Sequence, residues 1–83
     1  MDTLDCCAKA SFVNERDLDA AGGFDFMLGR CESCGNPWMS VFCAATSASG
    51  YEPVSREDVE KIRAITDAAK LKHFMRSWGD SHL

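Results

Sequence analysis

Five cysteines in 83 residues carry most of the chemistry this sequence has to offer. Cys31 and Cys34 stand two residues apart in "RCESCGNPW", Cys6 and Cys7 are adjacent in "DCC", and Cys43 stands alone. Two thiols at Cys-x-x-Cys spacing can close on a metal ion, cycle as a redox dithiol, or fill a core. The redox use depends on opening a helix, whose N-terminal dipole stabilises the thiolate. Gly35-Asn36-Pro37 follows at once with no helical pattern behind it, so a thiol redox protein is the weakest functional alternative. A metal fits the same turn better. A tight loop aims both sulfurs at one ion, and a glycine directly after the second cysteine permits the left-handed residue such a loop needs.

One pair supplies only half a tetrahedron. Cys43 lies at the far end of the strand read over "WMSVFCA", about 17 Å from Trp38 and leading away from the turn. Its expected role is a small buried side chain. Cys6 and Cys7 carry no such constraint. Adjacent side chains of an extended strand point oppositely, so both reach one ion only if the backbone turns there, as Ala8 and the segment before it allow. The expected ligands are therefore Cys6, Cys7, Cys31 and Cys34. Three other solutions stay open: Cys43 with one of the vicinal pair, one of that pair with Asp5, His73 or His82, and no metal at all. Four thiolates suit a single structural Zn²⁺ per chain, and an Fe(Cys)₄ centre would look the same in sequence. A site closed by four protein ligands has no position for water or substrate, which points away from an enzyme.

"CESCG" at a hairpin tip resembles the knuckle of zinc-ribbon and rubredoxin-like domains, with the Cys6-Cys7 pair near the N-terminus. The resemblance spans roughly residues 24–43. It implies a small zinc-organised β-structure. Such domains carry a second Cys-x-x-Cys, which this chain lacks.

Length and charge bound what surrounds the site. A chain of 83 residues makes one domain at most, and so small a core supplies only about 3–5 kcal/mol without a staple. "MDTLDCC" has neither the basic nor the apolar region of a signal peptide, and no run of about 18 apolar residues exists to span a membrane. A reducing cytoplasm is the expected location, where clustered cysteines bind metal more often than they pair. Net charge is −4. Residues 1–54 hold three basic side chains (Lys9, Arg16, Arg30) against eight acidic ones, while residues 55–83 hold six against five. Four thiolates around one Zn²⁺ would make the total more negative still, which opposes phosphate-backbone binding.

The elements that must position the cysteines follow from periodicity. "FDFMLGR" alternates, with Phe24, Phe26 and Leu28 on one face. "WMSVFCA" alternates again, with Trp38, Ser40 and Phe42 opposite Met39, Val41 and Cys43. Together they predict an antiparallel hairpin with Cys31 and Cys34 at its tip. Ser11-Phe12-Val13 reads as a brief strand, "NERDLDAAGG" as a polar connection and "ATSASGYEP" as a loop. Ser55 with Asp58 opens a helix over about Arg56–Trp78. That helix carries two apolar stripes on nearly opposite sides: Val59, Ile62, Ile65 and Ala69, then Ala64, Ala68, Leu71, Met75 and Trp78. Either the helix breaks near Lys70 and folds back, or the second stripe binds a partner.

The expectation is an α+β fold, a zinc-ribbon-like β part over residues 1–54 followed by a long C-terminal helix over 55–78, making one zinc-binding domain over 1–83. Its expected role is a non-enzymatic protein-interaction module, contacting another protein or a second copy through the C-terminal helix, with the acidic face as a further candidate surface. Metal removal is expected to abolish folding. The competing class is a zinc-dependent nucleic-acid-binding protein, whose support is the positive patch of Lys70, Lys72 and Arg76.

Overall fold

The computed structural model describes residues 4–83. Residues 1–3, part of the stretch read for a signal sequence, lie outside the described residues. The fold is α+β. Strands β1 (Phe12–Ala21), β2 (Phe24–Cys31), β3 (Pro37–Cys43) and β4 (Ala48–Pro53) precede helices α1 (Arg56–Ala64) and α2 (Ala68–His82). The strands form one four-stranded sheet in the order β1-β2-β3-β4, every neighbouring pair antiparallel.

Alternation and register fix the two faces. Phe26 pairs with Val41 and Leu28 with Met39, so these four share a face, and all are buried. The two helices cover that face. Val59 and Ile62 from α1 and Leu71, Met75 and Trp78 from α2 join Leu18, Phe26, Leu28, Met39, Val41 and Val54 in one apolar cluster. The Trp78 ring meets Phe26 edge-on at 5.8 Å. The opposite face carries Asp25 paired with Phe42, Met27 with Ser40, and Gly29 with Trp38.

Three expectations change. The polar stretch "NERDLDAAGG" forms most of β1 rather than a connection. As an edge strand it gives only Leu18 and Ala21 to the interior, and irregularities in register between Asn14 and Arg16 and between Asp17 and Ala20 interrupt its period. The stretch read as a loop contains β4, whose small residues gain order by pairing with β3. The long helix is two, the second of 15 residues. Ser55 caps α1 as expected, its Oγ accepting from the Asp58 N–H at 3.1 Å. Asp67 then caps α2, accepting from the Ala69 and Lys70 N–H groups at 2.8 and 3.2 Å. Arg16 closes the gap between them by donating to the Ile62 and Ile65 carbonyls at 2.8 and 3.2 Å. The Ile62 carbonyl also accepts from the Ile65 N–H at 3.2 Å, and a cation at these terminal carbonyls complements the helix dipole.

The second stripe follows the first of its two readings, with the break at residues 65–67 rather than near Lys70. The break turns α2 back onto the sheet, so Leu71, Met75 and Trp78 are buried within the chain and offer no surface to a partner. His82, at the end of α2, stacks on Trp78 at 4.4 Å and sits 2.8 Å from its carbonyl oxygen.

Candidate metal centre

Backbone geometry at the hairpin tip sets up the first half of the site. β2 ends on Cys31 and β3 begins at Pro37. Between them Gly35 donates its N–H to the Cys31 carbonyl at 2.8 Å, and the Cys31 N–H donates to the Asn36 carbonyl at 2.9 Å. Gly35 adopts φ +77, the left-handed residue that the turn requires.

The second half comes from the segment before β1. The chain bends at Cys6 and Cys7 and turns through Ala8 and Lys9, so the adjacent cysteines both face the knuckle. This arm, residues 4–11, lies against the knuckle end of the sheet, beside Trp38. Ser33 Oγ donates to the Lys9 carbonyl at 2.6 Å, and the Glu32 N–H donates to the Ser11 carbonyl at 2.7 Å.

The sulfur atoms of Cys6, Cys7, Cys31 and Cys34 thereby lie within 4.8 Å of one another. Cys6 and Cys34 are 3.2 Å apart, Cys7 and Cys31 3.6 Å. Metal–sulfur bonds of about 2.3 Å place the corners of a tetrahedron about 3.8 Å apart, within the spread found here. The four residues that spacing and strand geometry select are the four the fold brings together. Cys43 is at the other end of β3, paired with Phe24 and Ala48. Its thiol is held below the ordinary value by the Thr46 hydroxyl and by the Thr46 and Ala45 amides. Among the described residues, Asp5, His73 and His82 do not join the cluster.

The electrostatics are those of crowded thiols. N–H groups of Ser11 and Cys34 pull the Cys31 thiol down to about 6 in spite of its burial. Burial, with hydrogen bonding to Cys34 and Cys31, pushes Cys6 up to about 12. Cys7 is raised as well: the Lys9 N–H lowers it, but burial and the neighbouring Cys31 and Cys34 thiols outweigh that pull. One thiolate forms readily, and the charge it brings resists the next. A divalent cation removes that resistance.

Trp38 supplies an independent test of fit. It is 6% exposed, and its indole Nε1, like that of Trp78, is buried with no hydrogen-bond partner among the described residues. A buried N–H without an acceptor costs about 1–3 kcal/mol. The indole acts on Cys6, favouring its thiolate, so a metal-bound Cys6 sulfur gives that N–H the anionic acceptor it lacks. Trp38, Ser11 and Ser33 support the site. Neither Trp38 nor the two serines stand out in the sequence as site residues; the fold places them there.

No protein-family model, curated protein or solved structure matches this chain. No described helix is long and apolar enough to cross a membrane.

Proposed function

We propose that Cys6, Cys7, Cys31 and Cys34 hold one structural Zn²⁺, and that the domain so fixed is a non-enzymatic module for binding another protein. The convergence of the four sulfurs within 4.8 Å carries the reading. Four thiolates close the coordination sphere, leaving no position for substrate. Free cysteines at this density suit a reducing compartment such as the cytoplasm.

With the α2 stripe in the core, the partner surface is assigned to the uncovered sheet face. Phe42 is 40% exposed there. A shallow depression of about 370 Å³ joins it to Met27, Asp17, Asp19 and Asp25. An apolar contact ringed by carboxylates suits a partner segment that combines a basic with an apolar side chain.

Native mass spectrometry of the full chain and its single Cys→Ser variants tests the metal. One zinc per chain is expected, lost on changing Cys6, Cys7, Cys31 or Cys34 and kept on changing Cys43. Zinc lost from the Cys43 variant but kept in both the Cys6 and Cys7 variants would refute the ligand set. Binding of duplex DNA and RNA across a salt series tests the module: a steep salt slope would favour nucleic acid instead.

A further inference from the structure

The side of the knuckle that faces away from the cysteines forms one wall of a second concavity. A cleft of about 160 Å³ lies between the hairpin tip and α1, lined by Glu15, Gly29, Arg30, Gly35, Pro37, Arg56, Val59, Glu60 and Arg63. Three of the chain's arginines meet here, in a protein whose net charge is −4. Arg63 is committed: it grips Glu15 through two hydrogen bonds of 2.6 and 3.3 Å. Arg30 and Arg56 are not. Among the described residues neither has an ion-pair partner, although Glu60 lies on the same cleft one turn along α1 from Arg56.

Two unpaired guanidinium groups on one concave surface are an arrangement that a surface does not need for solubility. Each presents a planar fork that matches an oxyanion bidentately. Val59 and Pro37 add apolar lining, which lowers the competition from water. The size limits the occupant: the cleft is smaller than the pockets of about 300–1,000 Å³ that enclose whole ligands. It accepts one anionic group and leaves the rest of the ligand outside. The charge limits it too. Two free forks match a dianion better than a single carboxylate, while Glu15 and Glu60 repel an extended polyanion.

We infer that the cleft between the knuckle and α1 binds a single phosphate monoester through Arg30 and Arg56, with Arg63 and Glu15 holding the wall. A free small phosphate and a phosphorylated serine or threonine of a partner protein offer that same group. None of the four cysteines lines the cleft, and binding there is read out without reference to the metal's identity.

Amide chemical-shift titrations of the full, metal-loaded chain test it with four probes: inorganic phosphate, Ac-Gly-phosphoserine-Gly-amide, Ac-Gly-Glu-Gly-amide and an octameric single-stranded RNA. Saturable shifts are expected at Gly29, Arg30, Gly35, Arg56 and Glu60, at least ten-fold tighter for the phosphorylated peptide than for the glutamate one. Tighter binding of the phosphopeptide than of inorganic phosphate identifies a protein side chain as the source, and the reverse order a free small molecule. The paired change Arg30→Gln with Arg56→Gln should weaken binding at least ten-fold, and Lys70→Gln with Lys72→Gln should not. The spectra themselves report whether each variant is folded, and Arg56→Gln alone serves if the pair is not. Unsaturable shifts spread over all basic residues, retained affinity in folded Arg variants, or tighter binding of the RNA would each overturn the proposal.

Discussion

Removing the metal with a strong chelator should free the arm over residues 4–11 while leaving the sheet and helices assembled. The apolar cluster lies on the helix-covered face of the sheet, and the cysteine cluster lies at its knuckle end. Fixing the backbone of the eight residues 4–11 costs about 8–16 kcal/mol at roughly 1–2 kcal/mol each. Without metal, the hydrogen bonds Ser33 Oγ to Lys9 and Glu32 N–H to Ser11 return about 0.5–1.5 kcal/mol apiece. Covering Trp38 adds about 2–3 kcal/mol. The arm is then short by several kcal/mol. Zinc contributes about 10–16 kcal/mol in small thiolate sites and reverses the sign. The loss of folding expected from sequence thus narrows to loss of the arm. Amide spectra with and without chelator check this: signals of residues 4–11 and of the knuckle should collapse to random-coil positions, and those of Phe26, Val41, Ile62 and Met75 should stay dispersed. Collapse of the whole spectrum would refute the separation of core from metal site. So would an arm that keeps its protection with no metal bound.

Gly29→Ala drives a Cβ into the Val13 carbonyl oxygen and the Phe12 ring. Since backbone must move, the overpacking cost of about 1–3 kcal/mol should exceed the gain of about 0.4–1 kcal/mol from a stiffer unfolded chain, and Tm should fall. Arg16→Met removes both donors from the α1 carbonyls and should cost about 1.5–3 kcal/mol in denaturant unfolding, whereas an unchanged midpoint would deny it a capping role. Trp38→Phe keeps a ring but loses the N–H facing Cys6, and should weaken zinc by roughly ten-fold in chelator competition. At pH 7 Cys31, near 6, is largely a thiolate, whereas Cys6, near 12, and the raised Cys7 are protonated. Metal binding must then expel at least two protons, so affinity should rise by about 100-fold or more per pH unit around neutrality. A flat profile between pH 6.5 and 7.5 would contradict these assignments.

The cysteine cluster was legible because its constraints are local. Cys-x-x-Cys-Gly fixes a turn, strand rise removes Cys43, and an arm with a turn after Cys7 is free to supply the other pair. The hairpin of β2 and β3 was legible for the same reason, since both strands alternate cleanly. What escaped was order imposed by neighbours. β1 shows little apolar period because it is a bulged edge, although Gly22-Gly23 is a hairpin signal that could have revealed it. β4 consists largely of small residues and exists through its pairing with β3. The break between α1 and α2 was visible as two incompatible stripes. Its position was not, because Arg16, distant in sequence, supplies part of what ends α1.

An open sheet of four strands has two edges, and each is a template on which another chain could add a strand. Here both are blunted. β1 breaks its register twice and takes Asp19 through φ 60, which twists its hydrogen-bonding row out of line. β4 is six residues long and ends in Glu52 and Pro53, the last without an N–H to offer. Devices of this kind suppress strand-to-strand aggregation. They confine encounters with other chains to the faces of the molecule, so an exposed side chain such as Phe42 can meet a partner without the sheet extending itself strand by strand.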